Sequence, residues 1–581
     1  MEFNQNSCYK NKLLFITIAL VWLFSINASA QSDTIETNVP ALKEVFANDF
    51  YIGCLLSYKY VGFPDDPYVP GQSLIVTPNG GYLIQYHMNS MSPGNNMKPQ
   101  YTVDIYGSAA AYNAAFAADK DSVDTHPIVK FNGDIIAQLN WAQRQGFTFR
   151  GHTLVWHNQT PSTFFRSGYS YGGARLTKEK MTERMDNYIK EVIRLIHEGW
   201  PGLLMAMDVV NEAVNDNGND RTNDSEWYVT FGDNSYLMKA FEFARKYTIE
   251  YGEAQIKLYY NDYNTHNPDK ADGIVQICTP IFEAGYLDGI GMQNHDGYNY
   301  PTTEQWIASY DKFDPICTEM SVTELDIRPS TNTSSRWTTQ ANQYAALVKC
   351  FIERSYFSGR GKIISVSKDG LNDQYAFVAN ASLWDANNKC KPAFYAAVNV
   401  GNYYNALDSL IAHSDSLLEN EYTIESWAQF LTALTEAQNA LNKNYSYTVS
   451  AGDTLKTAKN NLDLAIQSLV RNSTGVNEHG NTIPKEFVLG QNYPNPFNPS
   501  TTIDFAVPYY STIRITIYSI LGQALEEIVN RNYDAGYHSV KFNASNLASG
   551  IYFYKIEAIP VQLSNRPIDN FISAKKLMFM K

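Results

Sequence analysis

Cysteine is scarce: six in 581 residues, of which Cys8 falls within the first thirty. The remaining Cys54, Cys278, Cys317, Cys350 and Cys390 form no CxxC pair, which argues against a zinc site. Their odd number leaves at least one thiol free while allowing one or two disulfides outside the cytoplasm. Clusters of positive charge are also missing. With a formal net charge of -14 and no local Lys/Arg patch, the chain repels phosphate backbones, so nucleic acid is not expected as a partner. No apolar run beyond residue 30 is long enough to span a membrane. A Walker loop, a GxSxG elbow and an HExxH pair are absent, and no metal or cofactor is expected. The oxygen-rich stretch from Asn215 to Asp224 fails the EF-hand spacing and reads as a solvated loop.

What the chain does contain divides along its length. Lys10 and Lys12 precede the apolar run LLFITIALVWLFSI, and Ala28-Ser29-Ala30 closes it, the layout of a secretory signal peptide over residues 1–30. Aromatic residues are plentiful at 14%, with 41 tyrosines, supplying flat faces of the kind that pack cores and bind sugars. Between about Asp49 and Val400, β-rich runs alternate with stretches of helical period: FYIGC, QYHMNS, FTFRGHTLVWH, LLMAMDVVN, IKLYYND, GIGMQNH, MSVTELDI and KIISVS. Eight βα units predict an α/β fold, a closed (β/α)8 TIM barrel over residues 31–403, with chemistry at the C-terminal ends of its strands. A helical module follows over 404–471, a polar linker over 472–485, and alternating apolar and polar residues over 486–581 predict a small antiparallel β-sandwich.

Two glutamates end candidate strands four and seven: Glu212 in DVVNEA and Glu324 in SVTELDI. Those strands lie across the pore of such a barrel, so both carboxylates face one substrate at its rim. Paired carboxylates are what glycoside hydrolysis requires. One protonates the departing oxygen, the other attacks the anomeric carbon, and direct attack needs them about 5 to 5.5 Å apart. Alternation along TELDI puts Asp326 on the same face as Glu324.

The ordered set NSMSPGNNMK, GHTLVWH, DVVNEA, YYNDYN, GMQNH, TELDI and LWD…KPA resembles the family-ten glycoside hydrolases, the (β/α)8 endo-xylanases, over about residues 45 to 400. The resemblance implies a retaining endo-1,4-β-xylanase with Glu212 as general acid/base and Glu324 as nucleophile. It implies catalytic support from Asn211, His295 and Asp326, with Asn211 on the sugar 2-hydroxyl, and substrate contacts from Asn95, Lys98, His152, Trp156, Gln159, Gln293 and Tyr263. His157 is expected to support the core. Three departures stand out. Gly94 replaces a usual glutamate, Met207 replaces the tryptophan before DVVNEA, and in KDGLNDQYAF the two usual tryptophans of this stretch fall at Asp369 and Phe377. Because tryptophans bear on sugar choice, a retaining β-1,4-glucanase is the alternative. A catalytically silent surface carbohydrate-binding protein is the reading from another class.

The helical module resembles the FIVAR-like three-helix modules of extracellular glycosidases. From Phe487 onward NPFNPST, YSILGQ and LASGIYFYK resemble the C-terminal sorting domain of the type IX secretion system. Together these resemblances imply xylan and xylo-oligosaccharides as substrates and the secretion machinery as partner through the C-terminal domain. The expected product is a monomer without a membrane span in its mature form, secreted or attached to the cell surface via the periplasm.

Overall fold

The computed structural model describes residues 35–56, 80–103, 122–471, 484, 486–560 and 570–581. The expected signal peptide, and the expected linker apart from residue 484, lie outside the described residues. The chain forms two compact units, residues 1–470 and 471–581.

In the first unit nine strands run β1 (Tyr51–Leu56), β2 (Ser90–Pro93), β3 (Thr148–Trp156), β4 (Leu204–Asn211), β5 (Lys257–Asp262), β6 (Gly289–Met292), β7 (His295–Gly297), β8 (Glu319–Arg328) and β9 (Lys362–Asp369). All pair in parallel, in the order β6-β5-β4-β3-β2-β1-β9-β8, and β6 pairs again with β8, which closes an eight-stranded barrel. The three-residue β7 is an extension beside the end of β8. Seven of the eight barrel strands fall on the runs read from sequence. The exception is QYHMNS, whose first three residues end a helix, Gly80–His87, so that β2 begins only at Ser90. The physical reason is that Leu83, Ile84 and His87 recur at helical spacing and are buried together, which outweighs the local β-propensity.

Helices alternate with the strands as parallel pairing demands. In Lys178–Gly199 the side chain of Thr177 caps the first turn by accepting from Lys180 N, and Met181, Met185, Tyr188, Val192 and Ile196 recur three to four residues apart on the buried face. Barrel-filling side chains leave little room on neighbouring strands. A Cβ on Gly291 of β6 would fall within 2.8 Å of both Asn261 Oδ1 and Arg150 Nη2.

The last barrel helix runs from Pro392 to Ser414 without a break at the expected border of 403. Helices Ile424–Asn442 and Ala451–Gln467 fold back on it, and their Trp427, Phe430, Leu455 and Leu462 belong to the same apolar core as the barrel. All five cysteines in the described residues are unpaired thiols, so the disulfides that their number permitted do not form among them. No helix of the described residues is long and apolar enough to cross a membrane.

The second unit is antiparallel. β10 (Val488–Leu489), β11 (Ser500–Val507) and β14 (Gly536–Asn543) form one sheet. β12 (Ser511–Ser519), β13 (Ala524–Tyr533), β15 (Gly550–Pro560) and β16 (Phe571–Phe579) form the other. The inward residues Ile503, Phe505, Ile513, Ile515, Ile517, Tyr554, Ile556 and Leu577 share a separate core, the alternation of a β-sandwich.

Candidate active site

Strand register brings the functional side chains level. Trp156 on β3 pairs with Asn211 on β4, Asn211 pairs with Asn261 on β5, and His295 on β7 pairs with Asp326 on β8. At the end of β4 the chain turns sharply. Glu212 adopts φ 55°, a left-handed conformation unusual for glutamate, while its N–H donates to Asn261 O at 2.9 Å. The result is an open cleft of about 1050 Å3 at the C-terminal end of the strands. Of the residues singled out in the sequence, Glu212, Glu324, Asn95, Lys98, Trp156, Gln159, Tyr263, Gln293 and His295 line it.

Around Glu212 three donors converge. Trp156 Nε1 donates to Oε2 at 2.9 Å, while Gln293 Nε2 at 2.7 Å and Asn211 Nδ2 at 3.1 Å donate to Oε1. Around Glu324 the partners are different. Oε1 accepts from Asn261 Nδ2 at 3.3 Å, and Oε2 lies 3.3 Å from His295 Nε2, whose Nδ1 is 3.1 Å from Asp326 Oδ2. Burial alone pushes the Glu324 carboxyl up, but the hydrogen bond and positive charge of His295 outweigh it and bring it down to about 2. Burial likewise opposes the charge on His295, yet Asp326 and Glu324 together raise it to about 11. The three groups form a Glu324–His295–Asp326 chain in which the imidazole bridges two carboxyl groups.

Three expected contributors stand behind the cleft wall. His152 is buried with Nδ1 2.9 Å from Asp208 Oδ2, and Asp208 is also paired with Arg150. Asp208 thus fixes the His152 ring through its Nδ1. Asn211 and Asp326 are also buried, and both carboxamide atoms of Asn211 are engaged, Nδ2 by Glu212 and Oδ1 by Asn261 Nδ2 at 2.9 Å. The Asn211 amide therefore faces Glu212 rather than open space. Lys98 Nζ sits 4.5 Å above the Trp156 ring and donates to Asn95 Oδ1 at 2.8 Å. Tyr263 OH accepts from Arg221 Nη2 at 2.7 Å, and His157 is half-buried near Arg221.

Asn261 and Asp208 were not singled out, although both lie inside quoted motifs. Asn261 ties the two glutamates together, since its one amide nitrogen serves Asn211 and Glu324 while its oxygen accepts from Thr323 Oγ1 at 2.8 Å. A polar residue at a fully buried strand position was the available signal. Among the described residues one group, His295, Asp326 and Asp369, has ligand atoms within 4.8 Å of one another. Both nitrogens of His295 already face carboxylates, which leaves neither free for a metal ion.

Residues 41–400 match the model of glycosyl hydrolase family 10, and residues 491–568 match that of the secretion system C-terminal sorting domain. The chain is 32% identical over 391 residues to endo-1,4-beta-xylanase Y of Acetivibrio thermocellus, covering 64% of this chain and 33% of that protein. It is 32% identical over 319 residues to a putative endo-1,4-beta-xylanase of Caldicellulosiruptor saccharolyticus, covering 52% of this chain and 97% of that protein. The match thus spans a third of the first relative and nearly all of the second. Among solved structures, the CBM22-1–GH10 modules of a Clostridium thermocellum endo-1,4-beta-D-xylanase complexed with xylohexaose superpose with a TM-score of 0.54 at 31% identity, over 64% of this chain and 69% of that one. The intracellular xylanase of Thermoanaerobacterium saccharolyticum, complexed with xylotriose, gives a TM-score of 0.52 at 25% identity, over 63% of this chain and all of that one.

Proposed function

The chain belongs to glycosyl hydrolase family 10, and from that premise we propose that it is a retaining endo-1,4-β-xylanase, with Glu324 as nucleophile and Glu212 as general acid/base. The observation that carries this reading is the unequal setting of two glutamates in one cleft. Glu324 is held as an anion by His295, the state a nucleophile needs. Glu212 Oε1 is occupied by two amide donors, whereas Oε2 takes only the Trp156 N–H, which leaves a lone pair of Oε2 for the proton that departs to the glycosidic oxygen.

The reaction then proceeds in two steps. Glu324 attacks the anomeric carbon while Glu212 protonates the leaving oxygen, forming a covalent glycosyl-enzyme. Capture of the Glu324 charge in that bond lets Glu212 act as base toward water in the second step. Trp156 offers an apolar ring face to the sugar and Lys98 a charged donor beside it. Asn95, Gln159, Gln293 and Tyr263 complete the substrate contacts, Tyr263 on the leaving-group side. Asn211 acts by hydrogen bond to Glu212, and His152, its ring fixed by Asp208, serves the same subsite.

Reducing-sugar release from xylan and carboxymethyl-cellulose, measured side by side with the anomeric configuration of the first product by NMR, tests the proposal. Xylan cleavage with a β-configured first product is expected. Preference for the cellulose derivative would replace the substrate, an α-configured first product would replace the mechanism, and binding without cleavage would leave a silent binding protein. We propose further that residues 1–30 direct export to the periplasm and that 486–581 are read there by the type IX machinery, supported by the sorting-domain match.

A further inference from the structure

One carboxyl in the cleft has no part in this reaction. Asp369 ends β9, where the resemblance read from the sequence implies a tryptophan, and Gly370 after it turns away at φ 61°. A Cβ at Gly370 would meet Tyr375 O at 1.9 Å, so the turn that aims Asp369 at the cleft admits only glycine. Asp369 is 9% exposed, and the exposed part faces the cleft beside Glu324 and Lys98.

Its carboxylate accepts no hydrogen bond from any described residue. The neighbouring Lys368 turns its Nζ instead to the carbonyls of Asp369 and Gly370, at 2.9 and 2.7 Å. Its oxygens are left to whatever occupies the cleft, and a carboxyl open to the site beside the nucleophile calls for a role. Packing alone supplies none, since an apolar side chain would fill the same place. A metal ion supplies none either, because His295, the nearest nitrogen ligand, is fully engaged.

We propose that Asp369 is a specificity-determining residue that hydrogen-bonds a ring hydroxyl of the sugar unit held against Glu324, so that part of the apolar stacking at this wall is exchanged for a polar anchor. The inference rests on the reading of the cleft as a glycoside hydrolase site. Five charged groups face or flank Asp369: Glu324, Asp326, His295, Lys368 and Lys98. Burial, followed by the negative charge of Glu324, pushes Asp369 well above the usual carboxylate range. A protonated carboxyl donates one hydrogen bond and accepts another, which suits a sugar hydroxyl and adds no second negative charge beside the nucleophile.

The test compares Asp369→Asn and Asp369→Ala with the wild type on xylotriose and on an aryl β-xylobioside, together with thermal melting and calorimetric titration of xylobiose. An amide reproduces the donor and acceptor of a neutral carboxyl, so Asp369→Asn should stay within about threefold of wild-type kcat/KM. Asp369→Ala should lose about tenfold, with weaker xylobiose binding and a melting temperature unchanged or raised. Wild-type kinetics for Asp369→Ala would overturn the proposal. So would equal damage in both variants, which would mean charge rather than hydrogen bonding, or a loss that tracks a fall in melting temperature. If the wild type ignores xylan but cuts another β-1,4-glycan, the xylose reading fails by itself and the Asp369 comparison is made on that glycan.

Discussion

Glu212 and Glu324 are chemically the same residue, and their neighbours separate them. Amides and an indole surround Glu212, whereas an imidazolium backed by Asp326 faces Glu324. In the proposed mechanism Glu324→Ala abolishes turnover, and azide restores it through an α-glycosyl azide, because the small anion enters from the face that the carboxylate vacated. A β-azide would reverse the two roles. For Glu212→Ala the expected loss is roughly 10² to 10⁴ in rate on xylan. The loss should be much smaller on aryl xylosides whose leaving groups need no proton, and equal losses on both would deny it the role of acid. His295→Asn tests the electrostatics. Burial raises the Glu324 carboxyl and His295 opposes that, so removing the imidazolium leaves burial in command. The acid limb of the kcat/KM profile should then move to higher pH, and a stationary limb would show that His295 does not control the nucleophile.

At the scale of elements, register does the positioning. β4, β5 and β8 carry residues that meet through Asn261, so this one side chain on β5 ties the strand leading into Glu212 to the strand that bears Glu324. Asn261→Ala removes a buried amide whose three partners are themselves buried or half-buried, and it should destabilise the barrel by about 1–3 kcal/mol and lower kcat on every substrate. Urea denaturation and kcat measured on the same preparation check both parts, and unchanged kcat would reduce Asn261 to a packing residue. The same element shows what a sequence yields. The strand itself was legible from KLYYND, and the shared face of Glu324 and Asp326 follows from alternation along TELDI, whereas His295 between them entered through the resemblance. The role of Asn261 was not legible, because its partners Asn211 and Glu324 lie on other strands and no local period reports them. The partner of His152 was not legible for the same reason: alternation gives the face of β3 on which it lies, but Asp208, which holds its ring, is on β4. In Gly80–His87, helical spacing overrode a run that reads as β, which a pattern of only six residues does not reveal.

The molecule as a whole consists of two units with separate cores, and its helical extension belongs to only one of them. Helical periodicity suggested a module from residue 404, and the helix Pro392–Ser414 is at once the closing helix of the barrel and the first helix of that module. Helix Ala451–Gln467 packs on it and on Arg336–Ser355, and Gly452 comes so close to it that a Cβ would lie 2.9 Å from Asn399 Cβ. Truncation at two places therefore has opposite consequences. Ending the chain at residue 471 removes a unit with its own core, so kcat/KM on xylo-oligosaccharides and the melting temperature of the barrel should stay within error, while secretion from the native host stops. Ending it at residue 415 strips the cover from Leu407 and the apolar face around it and discards Phe430, Leu455 and Leu462, all buried to within 1%. Each such side chain contributes roughly 1.5–3 kcal/mol when fully buried, so the loss approaches the 5–15 kcal/mol that typically holds a domain together. The shorter chain should melt far below the longer one or fail to fold, although no residue of the cleft has been touched. Calorimetry on the two truncations decides the matter: matching transitions would mean that the helical hairpin is an independent module and that its shared core with the barrel contributes nothing to stability.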